Sequence, residues 1–280
     1  MSNDATERAV SEHYSRGDLA VRVESALREA GLDKTHLTVE QLAPLDHFHL
    51  FGVAGTRELA RAAGIAATDR VLDVGGGIGG PARMLAQSVG CSVTVLDLTP
   101  EFCRVGAMLT GWTNLTDKVS FVCGSALEMP FTDQAFDVAV TQHASMNIAD
   151  KSQLYAEIHR VVRPGGRFAL FDIMAGPTAP LIFPVPWADS AETSFLMPPD
   201  EARTMIVAAG FRELVWEQGA ELVSQIAPLA TSATGGSAAR QGTLGVNLLM
   251  GELGPERIEN AMKNNREGRT VVVLGVFERV

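Results

Sequence analysis

Residues 71–80 read Val-Leu-Asp-Val-Gly-Gly-Gly-Ile-Gly-Gly. Apolar residues around one acid predict a short strand, and the run of glycines ends it at once. Glycine has no Cβ and tolerates positive φ, so such a bend lets a ligand lie directly against backbone. From Pro81 the spacing becomes helical, and proline suits a first helical turn. Strand, glycine bend and helix together predict a nucleotide-type site at the carboxyl end of a strand in a doubly wound α/β sheet.

The same letters fit two templates. Gly75, Gly77 and Gly80 satisfy G-x-G-x-x-G, the dinucleotide fingerprint. Asp73, Gly75, Gly77 and Gly79 satisfy D-x-G-x-G-x-G, the pattern of S-adenosylmethionine (SAM) methyltransferases. Residues 92–96, Ser-Val-Thr-Val-Leu, predict a second strand closed by Asp97, an acid suited to the ribose hydroxyls. Both nucleotide classes use such an acid, so Asp97 leaves the choice open.

The downstream spacing separates them. A third strand, Val119–Cys123, is followed by Gly124-Ser125-Ala126-Leu127, and Met129-Pro130-Phe131 leads to a fourth, Phe136–Thr141. Arg163-Pro164-Gly165-Gly166 stops a helix over 151–161 and precedes a fifth strand, Arg167–Ile173. Taken together, "VLDVGGGIGG", "VTVLDL", "GSALEMPFTDQAFDVAV" and "RVVRPGGRFALFD" give a chain that resembles the class I SAM-dependent methyltransferases. The resemblance is to the small-molecule, natural-product branch and covers about residues 45–175. It implies a Rossmann-like, doubly wound α/β sheet of seven strands, mostly parallel with the last strand antiparallel. An N-terminal helical or lid segment, 1–64, would precede a SAM-binding core, 65–280, with lid insertions at about 174–199 and 219–268.

The resemblance also implies a cofactor, SAM, leaving as S-adenosylhomocysteine (SAH), and residues to hold it. Asp73 would interact with the methionine amino group, and Gly75, Gly77 and Gly79 would let backbone run beneath methionine and ribose. Asp97 would bind the ribose hydroxyls and Leu98 would pack on adenine. Ser125 departs from the acid frequent at its position; a hydroxyl accepts a hydrogen bond but carries no charge. Ala126 and Leu127 would add backbone and packing, while Gln142 and His143 would line the sulfonium end.

Methyl transfer needs a nucleophile about 3 Å from the methyl group and in line with the breaking bond. An OH or NH nucleophile also needs a proton acceptor. His143 is the candidate base, since imidazole titrates near neutrality, and Asp172, ending the fifth strand, would sit on the same rim. Sugar O-methyltransferases of natural-product pathways, which the chain resembles here, place a His shortly after strand four and an Asp at the end of strand five. Asp172 matches, but Met146 stands at the His position with Asn147 beside it, which counts against sugar O-methylation. His47 and His49 flank Phe48; on a strand they would share a face, and one of them, His49, is a candidate lid or substrate contact. They have no carboxylate or Cys partners at metal-ligand spacing, so no metal is expected. Met146, Phe183, Trp187, Phe195 and Met197 would wall an apolar substrate pocket, with Trp187 presented by Val185-Pro186-Trp187-Ala188.

Composition narrows the partners. The 280 residues carry a net charge of −10 with no basic run, which argues against nucleic acid. Cys91, Cys103 and Cys123 fit neither a zinc nor a redox spacing and read as buried, reduced thiols in a cytoplasmic protein. No signal-peptide h-region or membrane-length apolar run is evident. Residues 1–17 are polar and expected to fray. Leu19, Val23 and Leu27, followed by Gly31, predict an amphipathic helix that packs on the core, covers the site, or meets a second copy in a homodimer. Residues 174–199 hold six prolines and are too long for a plain connection. Next come a helix through Ala202, Met205, Ile206 and Ala209, a strand over 211–217, a helix over about 255–264, and a closing strand from Thr270 to Phe277; 226–246 is left without a reading.

The sequence thus points to methyl transfer onto a small, hydrophobic or aromatic metabolite at O or C. Three rivals stay open: a non-methylating SAM-bound enzyme such as a cyclase, a SAM-sensing or assembly subunit, and a nicotinamide-dependent oxidoreductase.

Overall fold

The strand Arg70–Val74 (β1) lies in the interior of a seven-stranded sheet, and Val71, Leu72 and Val74 are fully buried. Apolar residues on both faces of one strand suit a sheet covered by helices on both sides. A computed structural model of the chain describes residues 3–15, 17–233, 244–251 and 253–280. Four helices precede the sheet: α1 (Asn3–Tyr14), α2 (Leu19–Glu29), α3 (Val39–Asp46) and α4 (Gly52–Ala63). After β1 come α5 (Gly80–Ser88), β2 (Ser92–Asp97), α6 (Pro100–Trp112), β3 (Val119–Cys123) and β4 (Phe136–Gln142). Then follow α7 (Lys151–Val161), β5 (Val162–Ala175), α8 (Pro199–Ala208), β6 (Phe211–Gln218) and α9 (Gly219–Ala233). The short α10 (Asn247–Met250), α11 (Gly254–Arg266) and β7 (Thr270–Arg279) complete the chain.

The strand order is β3-β2-β1-β4-β5-β7-β6, with β7 antiparallel to both neighbours. This is the Rossmann-like sheet with an antiparallel last strand. The break in connection order at β1 and β4 is where an open α/β sheet forms its ligand crevice. Strand β5 starts earlier than expected: Val162 pairs with Phe136 before Arg167 pairs with Val138. Arg163–Gly166 therefore loops out of the ladder, and Arg163 and Arg70 both bind Asp137, at 2.7 and 3.0 Å.

Two expectations are corrected. Within the stretch 1–17, expected to fray, residues 3–14 form α1, with Thr6 and Val10 buried. The region between α1 and α2 is tied down by Glu101, which accepts the backbone N–H of Gly17 and of Leu19, each at 2.9 Å. Of the three thiols, Cys91 and Cys103 are buried but Cys123 is exposed. The α2 stripe packs on the chain's own core, against Phe102, Val105 and Leu109. Part of the expected 219–268 insertion, 234–243, lies outside the described residues, as does that part of the unread 226–246 stretch. Among the described residues no helix is long and apolar enough to cross a membrane.

A buried ion pair fastens α3 to α5. Arg83 and Asp46 are fully enclosed, with Nη2 2.8 Å from Oδ2. Arg83 Nη1 also donates to Thr110 Oγ1 at 3.0 Å and Gly106 O at 3.2 Å, and His47 Nδ1 lies 3.0 Å from Asp46 Oδ1. Burial pushes the Asp46 carboxyl up, but the bonds from His47 and the charge of Arg83 outweigh it and leave it below its ordinary value. The contact is close enough that a Cβ on Gly80 would meet Asp46 O at 2.1 Å. Removing one member strands a buried charge, so Arg83→Met is expected to cost about 3–5 kcal/mol in urea unfolding. Arg83→Met with Asp46→Leu should cost less than Arg83→Met alone, because no charge is then left unpaired.

Candidate active site

A pocket opens where the carboxyl ends of β4, β1, β2 and β3 lie side by side. Along it, in that order, stand Gln142 and His143 at the end of β4, Asp73 and the glycine bend at the end of β1, Asp97 and Leu98 at the end of β2, and Ala126 and Leu127 after β3. Phe48 and His49 close one side, and α1 covers it with Asn3, Glu7, Val10 and Tyr14.

The bend is built for close approach. Gly75, Gly77 and Gly79 have φ of 73, 57 and 77°. A Cβ would come within 2.5 Å of Ala144 Cβ at Gly75 and of the Phe121 ring at Gly79. Asp97 binds the bend from the next strand, accepting Gly77 N–H and Thr99 N–H, each at 2.8 Å. Its burial still wins over those bonds and raises its carboxyl above the ordinary range. Asp73 is 1% exposed and its Oδ2 has no hydrogen-bond partner. Burial first, then the charge of Asp97, push its carboxyl up to about 7.

At the opposite end two imidazoles stack, His49 on His143, with centroids 5.8 Å apart and planes at 28°. His49 is engaged: Nε2 lies 3.0 Å from Thr56 Oγ1, which donates to Gln142 Oε1 at 2.9 Å, and Nδ1 lies 3.2 Å from Leu50 O. Neither ring nitrogen of His143 has a partner, nor has Gln142 Nε2. His143 sits at φ 51°, a conformation uncommon outside glycine, held by its N–H to Phe171 O at 2.9 Å. Burial pushes its imidazole down to about 3 and that of His49 well below its ordinary value. Both rings are therefore neutral near pH 7. The described residues lining this pocket include no Lys or Arg, and among the described residues no His, Cys, Asp and Glu group could hold a metal.

Several expected residues stand elsewhere. Asp172 does not meet His143; its Oδ2 accepts Ser145 N–H at 3.3 Å, away from the pocket lining. Burial raises its carboxyl to about 6, partly offset by the bond from Ser145 and then by the charge of Lys151, whose Nζ donates to the Ser145, Ile148 and Phe195 carbonyls. Met146 and Trp187 are not pocket wall. They pack on each other's cluster with Val185 and Ala188 because the Val185–Ala188 backbone pair curls the proline turn inward, and Trp187 Nε1 donates to Ser194 Oγ at 2.9 Å. Phe183 packs on that cluster and Met197 on the core; neither lines the pocket. His47 and His49 do not share a strand; they follow the end of α3, and His47 belongs to the Asp46 pair. Ser125 is just outside the lining: its Oγ accepts Leu127 N–H at 3.0 Å and donates to Glu7.

Sequence reasoning missed α1. Its contribution could have been found in the helical spacing of Asn3, Glu7, Val10 and Tyr14. Tyr14 donates to Asn147 Oδ1 at 2.9 Å, and burial, then the Asp97 charge, raise its hydroxyl so that it stays protonated. Asn147 in turn donates to Trp187 O at 2.8 Å and Thr193 O at 3.0 Å, so it joins α1 to the proline-rich segment.

Residues 72–170 match the methyltransferase-domain family. Sterol 24-C-methyltransferase of Eremothecium gossypii is 40% identical over 114 residues, 41% of this chain and 31% of that protein. Methyltransferase GfsG of Streptomyces halstedii is 30% identical over 176 residues, 62% of this chain and 61% of that protein. The chain thus spans from about a third to three fifths of the length of these relatives. Geranyl diphosphate methyltransferase, solved with geranyl diphosphate and sinefungin, superposes with a TM-score of 0.66 over 99% of this chain and all of that one, at 18% identity. The [4+2]-cyclase SpnF superposes at 0.59 over 80% of each chain, at 20% identity. These two show a shared fold. Residues 72–170 thus match a methyltransferase domain, carried on a Rossmann-like sheet whose glycine bend and strand order suit a SAM site. The pocket fits that cofactor: Gly75, Gly76 and Gly77 line it with backbone, and the partnerless Asp73 Oδ2, Gln142 Nε2 and His143 nitrogens are buried along it, while Gly79 stands outside the lining, packed against Phe121.

The raised Asp73 carboxyl has a measurable consequence. A ligand ammonium placed against it requires the ionised form, whereas the free protein holds the proton below about pH 7. SAH affinity should therefore rise with pH and level off above about 7. Calorimetry at pH 6 in buffers of different ionisation enthalpy should show release of close to one proton, and Asp73→Asn should abolish that release. Buffer-independent enthalpy in the unmodified chain would refute the pairing.

Proposed function

We propose that the chain transfers the methyl group of SAM to an oxygen or carbon of a small, hydrophobic or aromatic metabolite, with α1 acting as its lid and the 174–199 segment bracing that lid through Asn147. The observation that carries this reading is the neutral, partnerless His143 at the β4 end of the pocket, opposite Asp73 across the glycine bend. When bound, the cofactor supplies an electrophilic methyl whose leaving group is a neutral thioether. In this reading Asp73 pairs with the amino group, Asp97 holds the ribose hydroxyls and Leu98 packs on the base. His143 offers a ring nitrogen to the acceptor group, and Phe48, His49 and Ile148 exclude water. Two neutral imidazoles beside aromatic rings suit an uncharged acceptor, since burying an unpaired charge is costly.

The depressed basicity of His143 refines its role. An imidazole whose protonated form is lost above about pH 3 orients a hydroxyl or an enol by hydrogen bonding and takes its proton as the methyl arrives. Glycines 75, 77 and 79 and the stack of His49 on His143 provide the alignment that in-line displacement requires.

The test is methyl transfer from labelled SAM to phenols, hydrophobic alcohols and polyketide-like enols, read by mass spectrometry. Intact SAH binding with no methylated product across such a panel would favour a non-methylating enzyme on this fold. His143→Ala should lower turnover about 10²-fold or more. Between pH 5 and 8 turnover should show no loss on the acid side that His143→Gln removes, because the imidazole is already neutral there. Asp97→Ala should weaken SAH binding by about 1.5–3 kcal/mol, the scale of hydrogen bonds to a charged group, by calorimetry.

A further inference from the structure

We propose that Glu7 on α1 recognises the exocyclic amino group of the cofactor's adenine, so that the nucleobase itself holds the N-terminal helix over the site. The proposal rests on the reading of the pocket as a SAM and SAH site. An acid ending β2 fixes the ribose position at Asp97. On the β4 side of Asp97 lie Asp73 and His143, and on the β3 side lie Leu98, Ala126 and Leu127. The flat, apolar faces of a base suit the second side. Among the described lining residues, the carboxylate at that end comes from Glu7.

The local hydrogen bonds separate Glu7 from Ser125. Ser125 Oγ accepts Leu127 N–H at 3.0 Å and gives its proton to Glu7, so the hydroxyl is used in both directions and serves to aim the carboxylate. A carboxylate has about four acceptor sites, so this one bond leaves Glu7 with capacity for an amino donor. The helix that carries it is held at its far end. Tyr14 donates to Asn147 at 2.9 Å, His13 Nδ1 lies 3.1 Å from Asp189 Oδ2, and Glu101 holds Gly17 N–H. Glu7 lies seven residues before Tyr14, about 10 Å along the helix, so that anchorage fixes one end of α1 and a base bound by Glu7 would secure the other.

Calorimetric titration of the full chain with SAH and with its inosine counterpart, S-inosylhomocysteine, tests this. The counterpart carries a carbonyl oxygen at C6, which a carboxylate repels and a glutamine amide can donate to. The unmodified chain should bind SAH at least about 10-fold more tightly than the inosine compound. Glu7→Gln, of nearly unchanged shape, should weaken SAH about 10-fold and strengthen the inosine compound, shrinking or reversing the preference. Equal loss for both ligands would reduce Glu7 to a packing contact and overturn the proposal, as would a preference left unchanged. If the unmodified chain bound neither ligand, the cofactor reading would fall and take the proposal with it. Slower hydrogen exchange in α1 with SAH than with the inosine compound is a second expected result, independent of turnover.

Discussion

A guanidinium and a carboxylate share a dry space beneath the glycine bend, and the site is arranged around them. Arg83 extends from α5, the helix that the bend starts, and Asp46 comes from the end of α3. Their bond brings α3 close enough to touch the bend at Gly80, where a side chain has no room. From that contact the chain continues directly into Phe48 and His49, which therefore reach the pocket from above. A buried pair of this kind gains little net stability, since desolvation offsets its attraction. What it does here is restrict geometry: both charges are satisfied in one arrangement of cap and core.

The electrostatics of the pocket divide along its length. Two buried acids, Asp73 and Asp97, sit at the middle, each raised by burial, and the charge of Asp97 raises Asp73 further. Two neutral imidazoles sit at the β4 end. A cation seated between them relieves the acids and leaves the imidazoles uncharged, which is a physical preference for a sulfonium and an ammonium over a pyrophosphate. No metal is needed to make that division, because it follows from burial and from the placing of carboxylates at the ends of β1 and β2.

The proline-rich segment after β5 does its work indirectly. Its tryptophan and the neighbouring methionine form a small apolar cluster of their own, and the carbonyls of Trp187 and Thr193 take the Asn147 amide. Asn147 takes Tyr14, and Tyr14 belongs to α1. The cover of the site is thus joined through one side chain to a segment that lies outside the pocket. Asp189 in the same segment bonds Arg257 of α11 at 2.5 Å and His13 of α1 at 3.1 Å, which adds a second junction between these parts.

The features legible in the residues alone are local in origin. The strand, bend and helix from Val71 onward, the acid closing β2, the stop after α7 and the strand–helix alternation are all set by neighbours a few residues apart, so apolar period and glycine placement reveal them. The tertiary structure decided which side chains face the pocket. Helix α1 has no apolar stripe to announce it, because its inward face covers a polar site and carries Asn3, Thr6 and Glu7. Met146 and Trp187 turned away from the pocket, and Asp172 from His143, because backbone pairing beyond the reach of local spacing set their direction. Periodicity reports whether a residue is buried, but a ligand pocket and a core are both burial, and the fold alone distinguishes them.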